Sequence, residues 1–132
     1  MRRAAAAALL VVLTGCGTAS PDLFEVRRSG PDRPANLTLV VSDGGHVTCN
    51  GHEHELDPDR LLRARELERA LSQQAEVGLE LPRGPRADLS YRVRMEAGTV
   101  AFSDTSRGSP QSFYQLAAFT KDVSERVCGI VR

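Results

Sequence analysis

From Leu89 to Glu96 apolar and polar side chains alternate without a break, Leu89, Tyr91, Val93 and Met95 against Ser90, Arg92, Arg94 and Glu96. A period of two with charge on one side describes a strand of an antiparallel sheet, one face buried and the other in water. Such a strand needs neighbours and a layer to cover its apolar face. Ala97-Gly98 turns it into residues 99–103, a hairpin. A second hairpin joins Leu37, Leu39 and Val41 to residues 46–49 through Asp43-Gly44-Gly45, where glycine accepts the positive φ of a tight turn. Residues 23–28 read as a first strand, ended by Ser29-Gly30 and a proline-rich turn at residues 31–34.

Two helices supply the cover. Asp57 caps the first and Pro58 opens it, followed by Leu61, Ala64, Leu67, Leu71 and Ala75 at helical spacing as far as Gly78. Residues 79–85, with two prolines, form a connection. Ser109 as cap and Pro110 as first residue open the last helix, which carries Phe113, Leu116, Thr120, Val123 and Val127 and stops at Gly129. The order β-ββ-α-ββ-α predicts an α+β fold, a mostly antiparallel sheet of about five strands with both helices on one face. With 41% hydrophobic residues and balanced charge, 17 Lys+Arg against 17 Asp+Glu, residues 23–132 suffice for a single domain.

The N-terminus reads as an address. Met1-Arg2-Arg3 precedes ten apolar residues, Ala4 to Leu13, too few to span a bilayer, which needs about 20, and of the length of a secretory signal. Leu13-Thr14-Gly15-Cys16 resembles a bacterial lipobox, which implies cleavage after Gly15 and a lipidated Cys16. Residues 1–15 are then signal peptide, and 16–22 the lipidated Cys and a short tether. Palmitate-type acyl chains contribute about 0.8 kcal/mol per buried CH₂, so more than one holds the domain stably on the extracytoplasmic face of the cell membrane. Cys49 and Cys128 remain, an even number in an oxidising compartment, and are expected to pair, closing a loop of about 80 residues.

Three sets of residues are candidates for chemistry. All three histidines, His46, His52 and His54, fall within nine residues together with Cys49, Glu53 and Glu55. With His46 on a strand and His52 and His54 in the polar loop that follows, they could converge on Zn²⁺ or Cu²⁺, although the spacing matches no closed zinc motif. Arg27, Arg28, Arg92 and Arg94 would form a basic binding stripe if their strands pair. Asp104-Thr105-Ser106 echoes the catalytic loop of aspartic proteases but reads more simply as the approach to the last helix. Zero net charge gives no reason to expect nucleic acid, and no nucleophile, base and oxyanion set can be assembled, so no catalytic residue and no obligatory cofactor is expected.

Taken in order, Val26-Arg27-Arg28-Ser29-Gly30, the Pro58-Asp59 helix opening with its Leu/Arg/Glu pattern, Ala87-Asp88-Leu89-Ser90-Tyr91-Arg92-Val93, the glycine hairpin after it and the last helix resemble emfourin, a family of small inhibitors of thermolysin-type metalloproteases. The likeness spans about residues 23 to 127 and departs in the lipobox, the Cys49/Cys128 pair and the His-rich segment. It implies a non-enzymatic, protein-binding α+β domain acting on an extracellular protease or another surface protein, and transfers no individual inhibitory residue.

Overall fold

A computed structural model describes residues 22–132; the expected signal peptide, the lipobox-like Leu13-Thr14-Gly15-Cys16 and most of the expected tether lie outside the described residues. The chain begins with β1 (Asp22–Ser29), makes one 3₁₀ turn (Arg33–Ala35), and continues through β2 (Leu37–Ser42), β3 (His46–Cys49) and β4 (His52–Glu55). Helix α1 (Pro58–Glu76), the hairpin β5 (Ser90–Met95) and β6 (Gly98–Ser103), and helix α2 (Gln111–Arg126) complete it. The strands form one antiparallel sheet in the order β4-β3-β2-β1-β5-β6. The expected α+β fold is present, with six strands instead of five. The added strand is β4, paired to β3 through a turn in which Asn50 (φ 48°) and Gly51 (φ 86°) both take positive φ. Asn-Gly is the residue pair that such two-residue hairpins favour.

Period-two alternation places Phe24 and Val26 of β1, Leu37, Leu39 and Val41 of β2, Val47 and Cys49 of β3, and Tyr91, Val93 and Met95 of β5 in one buried layer. Both helices cover that layer. Helix α1 is capped as its sequence requires, the Asp57 side chain accepting from the Arg60 amide with Pro58 in the first turn, and it buries Ala64, Leu67, Leu71 and Ala75. Its C-terminus lies so close to the β5–β6 turn that a Cβ on Gly98 (φ 145°) would overlap the Ala75 carbonyl, which reserves that position for glycine.

Helix α2 starts one residue later than expected. Pro110 occupies the cap position, and the Ser109 hydroxyl donates to the Ser106 carbonyl instead of accepting from helix amides. Its buried face holds Phe113, Leu116, Phe119, Thr120 and Val123. Phe113 stacks on Phe102 at 4.4 Å and Phe102 on Tyr91 at 5.0 Å, so one aromatic column ties α2 to β6 and β5. The helices run antiparallel: Arg60 in the first turn of α1 meets Asp122 near the end of α2 at 2.8 Å. Among the described residues no helix is long and apolar enough to cross a membrane.

The disulfide Cys49–Cys128 joins the end of β3 to the residues just after α2, across 79 positions of sequence. Restricting the unfolded chain over such a loop stabilises by about 4.5 kcal/mol in the chain-entropy description. Replacing both cysteines by alanine is therefore expected to lower unfolding free energy by roughly 3–5 kcal/mol, measured by urea denaturation. The Arg60 clamp supplies a second test. Hydrogen bonding to Arg60 holds the Asp122 carboxyl below its ordinary value, so its stabilisation is present above the unfolded value and disappears as pH falls through the folded one. Asp122→Asn should lower the melting temperature by a few degrees at pH 7, and the gap to the unaltered protein should close as pH falls from about 5 towards 2.

Candidate functional site

The sheet face opposite the helices has no covering layer among the described residues. Its residues are the complement of the core positions: Glu25 and Arg27 of β1, Thr38 and Val40 of β2, His46 and Thr48 of β3, Glu53 and Glu55 of β4, Ser90, Arg92 and Arg94 of β5, and Thr99 and Ala101 of β6. Three of the four arginines of the expected stripe meet here. Arg27 and Arg92 are directly opposite in the β1–β5 ladder, and Glu25 is opposite Arg94. Glu25 accepts from Arg27 at 2.7 Å and from Arg94 at 3.1 Å, while Arg92 reaches Glu80 at 3.2 Å.

Arg28 does not join them, which corrects the expected stripe. Adjacent strand residues point to opposite faces, and Arg28 turns to the helix side, where it is 5% exposed. Its guanidinium donates to the carbonyls of Ala35 and Pro34, each at 2.9 Å, and so fixes the 3₁₀ turn against β1. Burial pushes its pKa down, partly offset by Tyr91 opposite it in the ladder. Arg83 takes the vacant place in the stripe. Leu79 and Leu81 pair with Ala101 along the outer edge of β6, and two residues on, Arg83 donates to the Ser90 hydroxyl at 2.8 Å and to the Ala87 carbonyl. Arg27, Arg83 and Arg92 thus line a shallow cleft of about 400 Å³ with Ser29, Ser90, Leu81 and Ala101. The alternation Leu79-Glu80-Leu81 was the sequence signal for this edge pairing; the prolines around it concealed it.

The histidines separate across the sheet. His52 pairs with Cys49 and His54 with Val47, so both lie on the helix side of the exposed edge strand β4, whereas His46, opposite Glu55, lies on the uncovered face. His46 approaches Glu53 at 3.9 Å. Among the described residues no group of three or more His, Cys, Asp or Glu side chains is arranged to hold a metal ion, and Cys49 is committed to its disulfide. The loop at residues 104–106 has a structural task. The Asp104 carboxylate accepts from the Asp88 and Leu89 amides, and the Ser106 hydroxyl donates to the Pro82 carbonyl at 2.7 Å.

The two arginines that are adjacent in sequence should therefore respond oppositely to removal. Arg28→Ala leaves two carbonyls without their donor and should cost about 2–3 kcal/mol in urea unfolding, whereas Arg27→Ala should stay within about 0.5 kcal/mol of the unaltered chain. Compared with family models, with curated proteins and with solved structures, the chain shows no match, so the site is read from its own residues.

Proposed function

We propose that this chain is a lipid-anchored, non-enzymatic protein-binding domain on the extracytoplasmic face of a bacterial membrane, held by acyl chains on Cys16, and that it inhibits an extracellular protease. The observation that carries the reading is the uncovered sheet face. A single-layered sheet buries one side only, and this one presents its other side as a rigid polar surface centred on Arg27, Arg83 and Arg92. Rigidity matters because a surface fixed before binding loses little conformational entropy on association. The two helices, the aromatic column and the Cys49–Cys128 bond provide it. Binding of this kind blocks a partner by occupying its cleft, with no reaction on either side. The ordered likeness to emfourin supplies the partner class, a thermolysin-type metalloprotease.

One observation favours a second reading, metal binding. His52 and His54 lie two residues apart on the same face of β4, a separation from which two imidazoles can share one Zn²⁺ or Cu²⁺. A single experiment separates the two. The full chain in non-ionic detergent is titrated against a thermolysin-type metalloprotease, once in excess Zn²⁺ and Ca²⁺ and once without. Stoichiometric loss of protease activity that persists in excess metal is the expected result. Loss that excess Zn²⁺ abolishes would mean that His52 and His54 strip the protease of its ion. Unchanged activity in both arms would rule out this protease class as the partner.

A further inference from the structure

We propose that the cleft formed by Arg27, Arg83 and Arg92 receives an acidic, extended segment of the partner protein, whose carboxylates pair with these guanidinium groups. The proposal rests on the protein-binding reading above and names the chemistry of what is bound.

The first argument is the ladder itself. Arg27 and Arg92 face each other directly across β1 and β5, an arrangement of like charge that destabilises a sheet. Arg83 adds a third cation over the same strands, held in place by Ser90 and Ala87. An anion arriving between them relieves the repulsion that the ladder builds in. The carboxylates present, Glu25 and Glu80, pair with Arg27 and Arg92, whose side chains nevertheless remain largely exposed, 64% for Arg27 and 56% for Arg92. An ion pair exposed on both sides, as Arg92–Glu80 is, contributes little and exchanges readily for a better-placed partner.

Shape and spacing then select the kind of anion. Arg94 extends the row beyond the cleft, in an adjoining hollow that it shares with Arg27 and Arg92, and its two-residue separation from Arg92 on β5, about 6.7 Å, matches the repeat between alternate side chains of an extended peptide. Ala101 gives the cleft a small apolar patch against which a peptide can rest, and Ser29 and Ser90 line it with hydroxyls. A bilayer surface fits less well. It is flat where this surface is concave, and a continuous sheet of lipid phosphates would repel Glu25 and Glu80, which stand among the arginines. A segment with spaced carboxylates meets the cations and bypasses both acids.

The test measures fluorescence anisotropy of a fluorescein-labelled (Glu-Thr)₅ decapeptide with the full chain in non-ionic detergent. Saturable binding is expected, weakening steadily as NaCl is raised and about tenfold weaker for Arg27→Gln with Arg92→Gln, and for Arg83→Gln alone. Arg69→Gln, the same charge change on the exposed side of α1, should leave it unaltered. Because Arg27→Gln with Arg92→Gln removes a like-charge pair, its melting temperature should be equal or higher, which separates lost binding from lost folding. Equal affinity for (Gln-Thr)₅, or no loss in the arginine variants, overturns the proposal. So does uptake by phosphatidylglycerol vesicles without peptide binding, which would make the face a membrane contact. Protease inhibition retained by the arginine variants sinks this inference and spares the protein-binding reading; arginine-dependent peptide binding without inhibition does the reverse for the protease target.

Discussion

Strand β1 is the constraint on which the rest of the molecule depends. It lies inside the sheet, bonded to β2 on one side and to β5 on the other, and so joins two hairpin units that have no other strand in common. Its alternation therefore sets both faces at once. Phe24 and Val26 enter the core beneath the helices, with Phe24 against Phe119 at 6.1 Å, while Glu25 and Arg27 are fixed on the uncovered side. A shift of one residue would exchange these sets and place an ion pair in the core. The register is thus specified by burial, and the position of the arginine cleft follows from it.

The same strand explains why two adjacent arginines have unrelated roles. Arg28, itself buried, satisfies two backbone carbonyls of the 3₁₀ turn, a task suited to a planar fork of donors. Arg27 contributes only exposed ion pairing and faces another cation. Stability accounts for the first. For the second, stability offers no reason, since a neutral side chain opposite Arg92 would serve the sheet better.

Most of the fold was legible because its signals were local and agreed with one another. Asp57-Pro58 specifies a helix start, Asp43-Gly44-Gly45 a hairpin, and residues 89–96 a half-buried strand. The parts that were not legible depend on partners distant in sequence or on a weaker local cue. Asn50-Gly51 marked the β3–β4 turn, but four residues of His and Glu look like a solvated loop, since edge strands can be polar on both faces. Ser109 looked like a cap because serine commonly is one, yet its hydroxyl found the Ser106 carbonyl first. The candidate site was half visible: of the four arginines expected in one stripe, Arg27, Arg92 and Arg94 share a face and strand alternation sends Arg28 to the other, whereas Arg83 reaches them only because residues 79–81 return along β6.

The two edges of the sheet are protected by different means, and the difference leaves one surface available for a partner. Along β6 the Leu79 and Leu81 backbone occupies part of the ladder. Along β4 the protection is electrostatic. A second copy added edge to edge as an antiparallel neighbour keeps each face of the sheet continuous, so Glu53 and Glu55 can meet only Glu53 and Glu55 of the copy. Carboxylate opposite carboxylate disfavours that pairing, as charged edges do generally. Self-association through the exposed edge is thereby opposed, while the acids of β4 stand three strands away from the arginine cleft. The uncovered face is consequently polarised across the strands, acidic at β4 and basic around β1 and β5. A polarised face orients an incoming charged segment as well as attracting it, which is the property a recognition surface needs beyond mere exposure.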